Sequence, residues 1–226
     1  MTGTSLKTAR NQRGWNQQTL AKLLGVSQTL VSLWEQGARG VPARWRQQLR
    51  QLGLELDPTE LPMRDEPNPA TVDFAQELAN DGYPGFAHLK ESAPGWNPAQ
   101  LLVMALSESN LDRRVAEALP WLVLRYSQMN WEWVFREAKL RDLQNRLGFT
   151  LALGKRLALQ KQQNDVAAVL MSRESALRGS LLAKEETYGN DRMTQAERSW
   201  LRARRPAEAA AWHILSDMEP AHLIHA

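Results

Sequence analysis

Gln28, Thr29, Ser32 and Leu33 are the residues whose types and spacing best fit a chemical task. On a helix, at about 100° per residue, Thr29, Ser32 and Leu33 share one side and Gln28 flanks them. Val31 and Trp34 lie together on the other side. The outward face is short and uncharged. A glutamine amide pairs bidentately with adenine N6 and N7, and threonine and leucine methyls suit the methyl of thymine. The chemistry on offer is the reading of base edges.

Other chemistries find less support. The chain has no Walker loop, no dinucleotide fingerprint, no G-x-S-x-G and no H-E-x-x-H. Cysteine is absent, which removes disulfides, thiolate metal sites and a cysteine nucleophile, and fits a reducing cytoplasm. His213, Asp217, Glu219, His222 and His225 gather near the end of the chain. His222 and His225 are three apart, so one helical turn would bring them together as ligands. An exposed tail is the plainer reading, and neither a metal, a cofactor nor catalysis is expected.

The elements that must position the reading face come next. Residues 17–37 run QQTLAKLLGVSQTLVSLWEQG. A short helix ends at Gly25, whose missing Cβ tolerates the positive φ of a sharp turn. Ser27 caps a second helix that begins at Gln28. Val31 and Trp34 then face Leu20, Ala21 and Leu24 of the first helix. Charge is concentrated in the same region. Residues 1–53 hold Lys7, Arg10, Arg13, Lys22, Arg39, Arg44, Arg46 and Arg50 against one acid, Glu35, a net +7 in a chain of net +3. A strongly basic head points to a polyanion.

Residues 4–53 resemble the XRE/Cro-CI family, the lambda-repressor type of helix-turn-helix. The resemblance rests on Leu6, Arg10, Gly14, Asn16–Gln17, Leu20–Ala21, Leu24–Gly25–Val26–Ser27, Val31–Ser32, Trp34–Glu35, Gly37 and Pro42, all without a gap. It implies that Gln28 and Thr29 enter the major groove, with Ser32 and Leu33 further along. It implies that Gln17 meets phosphate and buttresses Gln28, and it adds Asn16 and Ser27 to the DNA-contacting positions. Arg39 and Arg44 would meet the backbone or minor groove. Arg10 and Glu35 would form an internal ion pair. Leu30 and Leu33 depart from the family, which is often polar there.

Residues 54–72 carry Glu55, Asp57, Glu60, Asp65 and Glu66 against Arg64, and Pro58, Pro62, Pro67 and Pro69. Proline removes donors and restricts its predecessor, so this stretch reads as an acidic extended linker. Residues 73–226 balance in charge and read as helical throughout, with no alternating β-branched run. Helices are predicted over 72–80, 98–108, 111–127 (broken or kinked near Pro120), 131–146, 149–162, 165–186, 195–204 and 207–217, with a shorter piece over 84–91. Asn130 caps one, Thr194 with Glu197 makes a capping box, and Gly148 and Gly189 read as stops. The polar run Arg141, Asp142, Gln144, Asn145, Arg146 reads as a solvated helix end.

The sequence therefore predicts an all-α protein: a small DNA-binding head over 1–53, a linker over 54–72, and a multi-helix body over 73–226. No run of 18 apolar residues and no apolar leader is present, so a cytoplasmic protein without a membrane partner is expected. One recognition helix makes few contacts, so a homodimer on a palindromic double-stranded operator is expected. The layout resembles antitoxins of toxin–antitoxin pairs, which implies autoregulation and a body that binds a cognate toxin. Trp131, Trp133, Trp200 and Trp212 are candidate anchors for that protein. A body that binds a small effector is the alternative.

Overall fold

The computed structural model describes residues 3–54, 57–64, 71–91 and 95–223. Among them are twelve α-helices and two strands of two residues each. None of the helices is long and apolar enough to cross a membrane. The chain divides into two compact units, Met1–Pro62 and Met63–Ala226.

The first unit holds α1 (Gly3–Gln12), α2 (Gln17–Leu24), α3 (Gln28–Glu35) and α4 (Ala43–Gln51). Leu6, Leu20, Leu24, Val31, Trp34, Val41, Leu49 and Leu54 form its core. The helices give Leu6, Leu20, Leu24, Val31, Trp34 and Leu49, and the flanking segments add Val41 and Leu54.

The second unit begins with α5 (Phe74–Asn80) and a 3₁₀ run over Pro84–Leu89. Then come α6 (Pro98–Ser107), α7 (Arg113–Arg125), α8 (Trp131–Leu140), α9 (Gln144–Gln160) and α10 (Asn164–Arg178). Every residue of α6 from Pro98 to Leu106 is buried, and all but Gln100 are apolar, so this helix runs through the core. The long α9 packs against both α7 and α10. β1 (Glu186–Thr187), α11 (Gln195–Arg204), α12 (Ala207–Ala211) and β2 (Ile214–Leu215) complete the unit. The strands pair in parallel, Glu186 with Ile214 and Thr187 with Leu215.

Several expectations for this unit are corrected. The helix predicted over 131–146 stops at Leu140, because Asp142 takes a left-handed φ of 56°. The next helix starts at Gln144 and runs straight through Gly148. Gly148 is a close-packing residue: a Cβ there would lie 2.2 Å from the Trp212 ring. The polar run before it is mostly buried as well. Asn145 donates to the carbonyls of Leu182 and Lys184 and accepts from Leu182 N. Arg146 donates to the carbonyls of Leu106 and Glu108. These side chains satisfy backbone that has no helical partner, which explains polar burial at 145 and 146.

Two further helices are shorter than predicted. α10 ends at Arg178 rather than 186, and Gly189 is a turn residue with φ of 72°. α12 ends at Ala211, and the chain turns at His213, with φ of 53°, to make β2. Conversely, α7 continues unbroken through Pro120.

Within 54–72, residues 54 and 57–64 are more built than an extended linker. Leu54 is in the first unit's core, and Met63 packs on the second unit's core. Between them Asp57 caps a 3₁₀ turn over Pro58–Glu60. Gln100, itself buried, holds Arg64 by both amide groups, accepting from Arg64 N and donating to Arg64 O. Apolar Leu54 and Met63 outweigh the prolines there. Glu55, Asp65, Glu66, Pro67, Pro69 and His225 lie outside the described residues.

Candidate nucleic-acid interface

The reading helix is placed by caps and a glycine. Asn16 has extended backbone, and its Oδ1 accepts from Thr19 N at 2.7 Å, so α2 starts at Gln17. Gly25 ends α2 with φ of 65°, a left-handed conformation that costs glycine little. Ser27 Oγ then accepts from Leu30 N at 3.2 Å and fixes the first turn of α3. Asn16 and Ser27 are therefore caps in the free head.

α3 packs Val31 and Trp34 inward against Leu20, Ala21 and Leu24. Gln28 and Thr29 stay exposed at its N-terminal end. Ser32 and Leu33 are half-buried on the same outward side, and Ser32 Oγ accepts from Gln36 Nε2 at 3.1 Å. Leu30 is half-buried and packs on the core, so its apolar character is used within the unit.

Beneath the reading helix lies an ion pair. Arg10 Nε donates to Glu35 Oε1 at 2.6 Å and Arg10 Nη2 to Glu35 Oε2 at 3.1 Å. The two side chains are 8% and 2% exposed. Arg10 also donates to the Trp15 carbonyl. Gln17 Nε2 donates to Glu35 Oε2 at 2.9 Å, so in the free head its amide faces this carboxylate rather than Gln28. Burial alone would raise the Glu35 pKa, but hydrogen bonds from Arg10 and Gln17 hold it below its ordinary value.

The electrostatic consequence is direct. Glu35 is the only acid in residues 1–53, and it is turned inward. Lys7, Arg13, Lys22, Arg39 and Arg44 are exposed, so no carboxylate of 1–53 interrupts the positive surface around α3. Arg39 follows the turn at Gly37, and the Arg44 guanidinium sits 5.1 Å from the Trp45 ring. Sequence reasoning missed two braces here. Arg13 donates to the Gly53 carbonyl at 2.8 Å, and Trp45 lies 6.3 Å from Trp34. Neither leaves a spacing signal, since both join distant segments.

The proposed aromatic anchors of the body separate. Trp131 and Trp212 are 4% and 0% exposed, so both belong to the core and not to a surface. Trp212 Nε1 donates to Glu174 Oε1 at 3.1 Å, which satisfies its one polar atom inside. Trp133 is half-buried against the core. Trp200 is 49% exposed, on α11. No cluster of three or more His, Asp or Glu residues able to hold a metal occurs among the described residues.

Residues 6–43 match the helix-turn-helix family model, of the XRE/Cro-CI type. No curated protein and no solved structure matches the chain. The match spans Leu6 to Ala43 and takes in Arg10, both caps, Gly25, the reading face and Glu35.

Proposed function

Because its head is a helix-turn-helix of the XRE/Cro-CI type and marks a DNA-binding transcription regulator, we propose that this chain is a sequence-specific repressor acting as a homodimer on a palindromic operator. Gln28 and Thr29 read bases first, with Ser32 and Leu33 behind them. Arg39 and Arg44, in and after the loop that follows α3, meet the backbone or minor groove, and Asn16, Gln17 and Ser27 present helix N-termini to phosphate. The observation that carries this reading is the uncharged outward face of α3, exposed at Gln28 and Thr29, within an acid-free basic surface. Phosphate contacts position the head, and the uncharged face supplies the choice of sequence.

The body serves as dimerisation and partner-binding unit, and the partner is a protein, as in an antitoxin held by its toxin. Trp200, exposed on α11, is a ring of the kind that anchors protein interfaces, and this favours a protein over a small effector.

The test is selection of bound sequences from random duplex DNA by the intact chain, with Gln28→Ala alongside. A two-fold symmetric motif, blurred in the variant, is expected. Equal retention of all sequences by the wild type would refute sequence reading. For the body, co-expression with the product of the adjacent gene decides: a stable complex and relief of toxicity are expected, and neither result from a body-deleted chain.

A further inference from the structure

α11 is held to its unit by few contacts. Only Leu201 is buried. On the same side Arg202 and Arg205 reach Glu185, and Arg198 donates to the carbonyls of Met193 and Asp191. The other side is displayed. At about 100° per residue, Ala196, Glu197, Ser199, Trp200, Ala203 and Arg204 share one arc of the helix, and all six are exposed. One large ring thus stands among three small residues, with an acid at the helix start and a base at its end. The Arg204 guanidinium lies 4.8 Å from the Trp200 ring and restricts that ring before anything docks. Glu197 is likewise fixed, because its carboxylate accepts from Thr194 N and Oγ1 in a capping box.

This pattern is self-complementary. A two-fold axis makes the same patch meet itself, so each residue must find a suitable mate in its own helix reversed. Reversing α11 about the midpoint between Trp200 and Leu201 sets Glu197 beside the partner's Arg204 and Arg204 beside the partner's Glu197. The two Trp200 rings then lie within about one residue's rise of each other across the axis, flanked by the small side chains of Ala196, Ser199 and Ala203. The two helix dipoles run opposite, which adds a favourable sign. A parallel pairing would instead put Glu197 on the partner's Glu197 and Arg204 on the partner's Arg204.

We propose that α11 is the seam of a two-fold dimer, its Trp200 face docked antiparallel on the same face of a second copy. The proposal rests on the homodimer reading above and names its surface. One helix pair buries less than the roughly 1,000 Å² of a stable interface, so the free protein dimerises weakly and an operator with two half-sites completes the assembly.

The test is sedimentation equilibrium of the full chain across micromolar concentrations, alone and with a duplex bearing one or two half-sites. Wild type should show a monomer–dimer equilibrium. Trp200→Glu should weaken it by about thirtyfold or more, as loss of a central aromatic anchor does. Binding to a single half-site should not change. Arg204→Glu should weaken self-association by about two- to fivefold. Ala203→Cys gives this cysteine-free chain one thiol, which a short bis-maleimide should link to its copy, whereas Leu140→Cys at the exposed end of α8 should not link. A wild-type dimer that Trp200→Glu leaves intact overturns the seam and keeps the two-fold reading. A wild type monomeric at every concentration and on two half-sites overturns both.

Discussion

Replacing Glu35 by alanine strands the Arg10 guanidinium in the centre of the head. Arg10 keeps its bond to the Trp15 carbonyl but loses both contacts to carboxylate, and Gln17 loses its acceptor. Removing one partner of a buried pair costs about 3–5 kcal/mol. A unit the size of Met1–Pro62 has roughly 3–9 kcal/mol in total, at 0.05–0.15 per residue. The loss is therefore most of what holds the head folded, and its melting temperature should drop by at least about 12 °C. Removing both charges tests the reason. Arg10→Met with Glu35→Leu leaves no stranded charge and should cost only about 1–2 kcal/mol, for the Trp15 and Gln17 hydrogen bonds.

The assay is hydrogen–deuterium exchange of peptides from α1 to α3 in the intact chain, read beside peptides from α9. Glu35→Ala should collapse protection in the head and leave α9 unchanged. pH supplies the sign. Hydrogen bonds from Arg10 and Gln17 overcome burial and depress the Glu35 pKa, so its contribution is full above about pH 4.5, the ordinary glutamate value, and is lost as pH falls through the depressed one. Wild type and Glu35→Ala should converge at acid pH. Equal head protection at pH 7 in wild type and Glu35→Ala would refute the reasoning, as would a double variant as unstable as the single.

Gly148→Ala should lower the melting temperature of the body although alanine is the better helix former, because the added Cβ meets the Trp212 ring; overpacking of this kind costs about 1–3 kcal/mol, and a rise on calorimetry would contradict it. Gln28→Ala should cost about 1–3 kcal/mol on the preferred operator and little on random DNA, whereas Arg44→Ala should weaken both and reduce the salt slope by about one, as titrations at several salt concentrations would show. Burial, then the neighbouring Glu77 carboxylate, pushes the Asp81 pKa up to about 8, so the folded body holds a proton that the unfolded chain releases near pH 4. Its stability should fall as pH rises from about 4 to 8, and Asp81→Asn should flatten that slope in urea titrations; an unchanged slope would count against it.

The head was legible because its information is local. Gly25, Ser27 and the Leu20–Val31–Trp34 spacing fix a turn and a face within twenty residues, and the structure builds α2 and α3 from them. The capping signals at Asn130 and Thr194–Glu197 were equally local and start α8 and α11. The body's errors share one cause. Gly148 reads as a stop until Trp212, far along the chain, is known to fill the space beside it. Asn145 and Arg146 read as solvated until the carbonyls of Leu182, Leu106 and Glu108 are brought to them. The β1–β2 ladder joins segments too short for any periodic pattern. Trp131 and Trp212 could not be sorted from Trp200 by type alone, since all sit in amphipathic stretches.

Leu54 in one core and Met63 on the other leave only residues 55–62 to join the units. Eight residues reach at most about 26–29 Å when fully drawn out, and the turn at Pro58–Glu60 takes up part of that length. Two half-sites one duplex turn apart present themselves on the same side of the double helix. Inserting about five base pairs between them turns one half-site to the opposite side as well as moving it away, so a strap this short would have to wind around the duplex to follow. In the proposed two-fold complex, operator binding should then rise and fall with the rotational phase of the half-sites, recovering when a further five or so base pairs bring them back into line. Lengthening the strap with glycine and serine should soften that oscillation without touching any residue that meets a base.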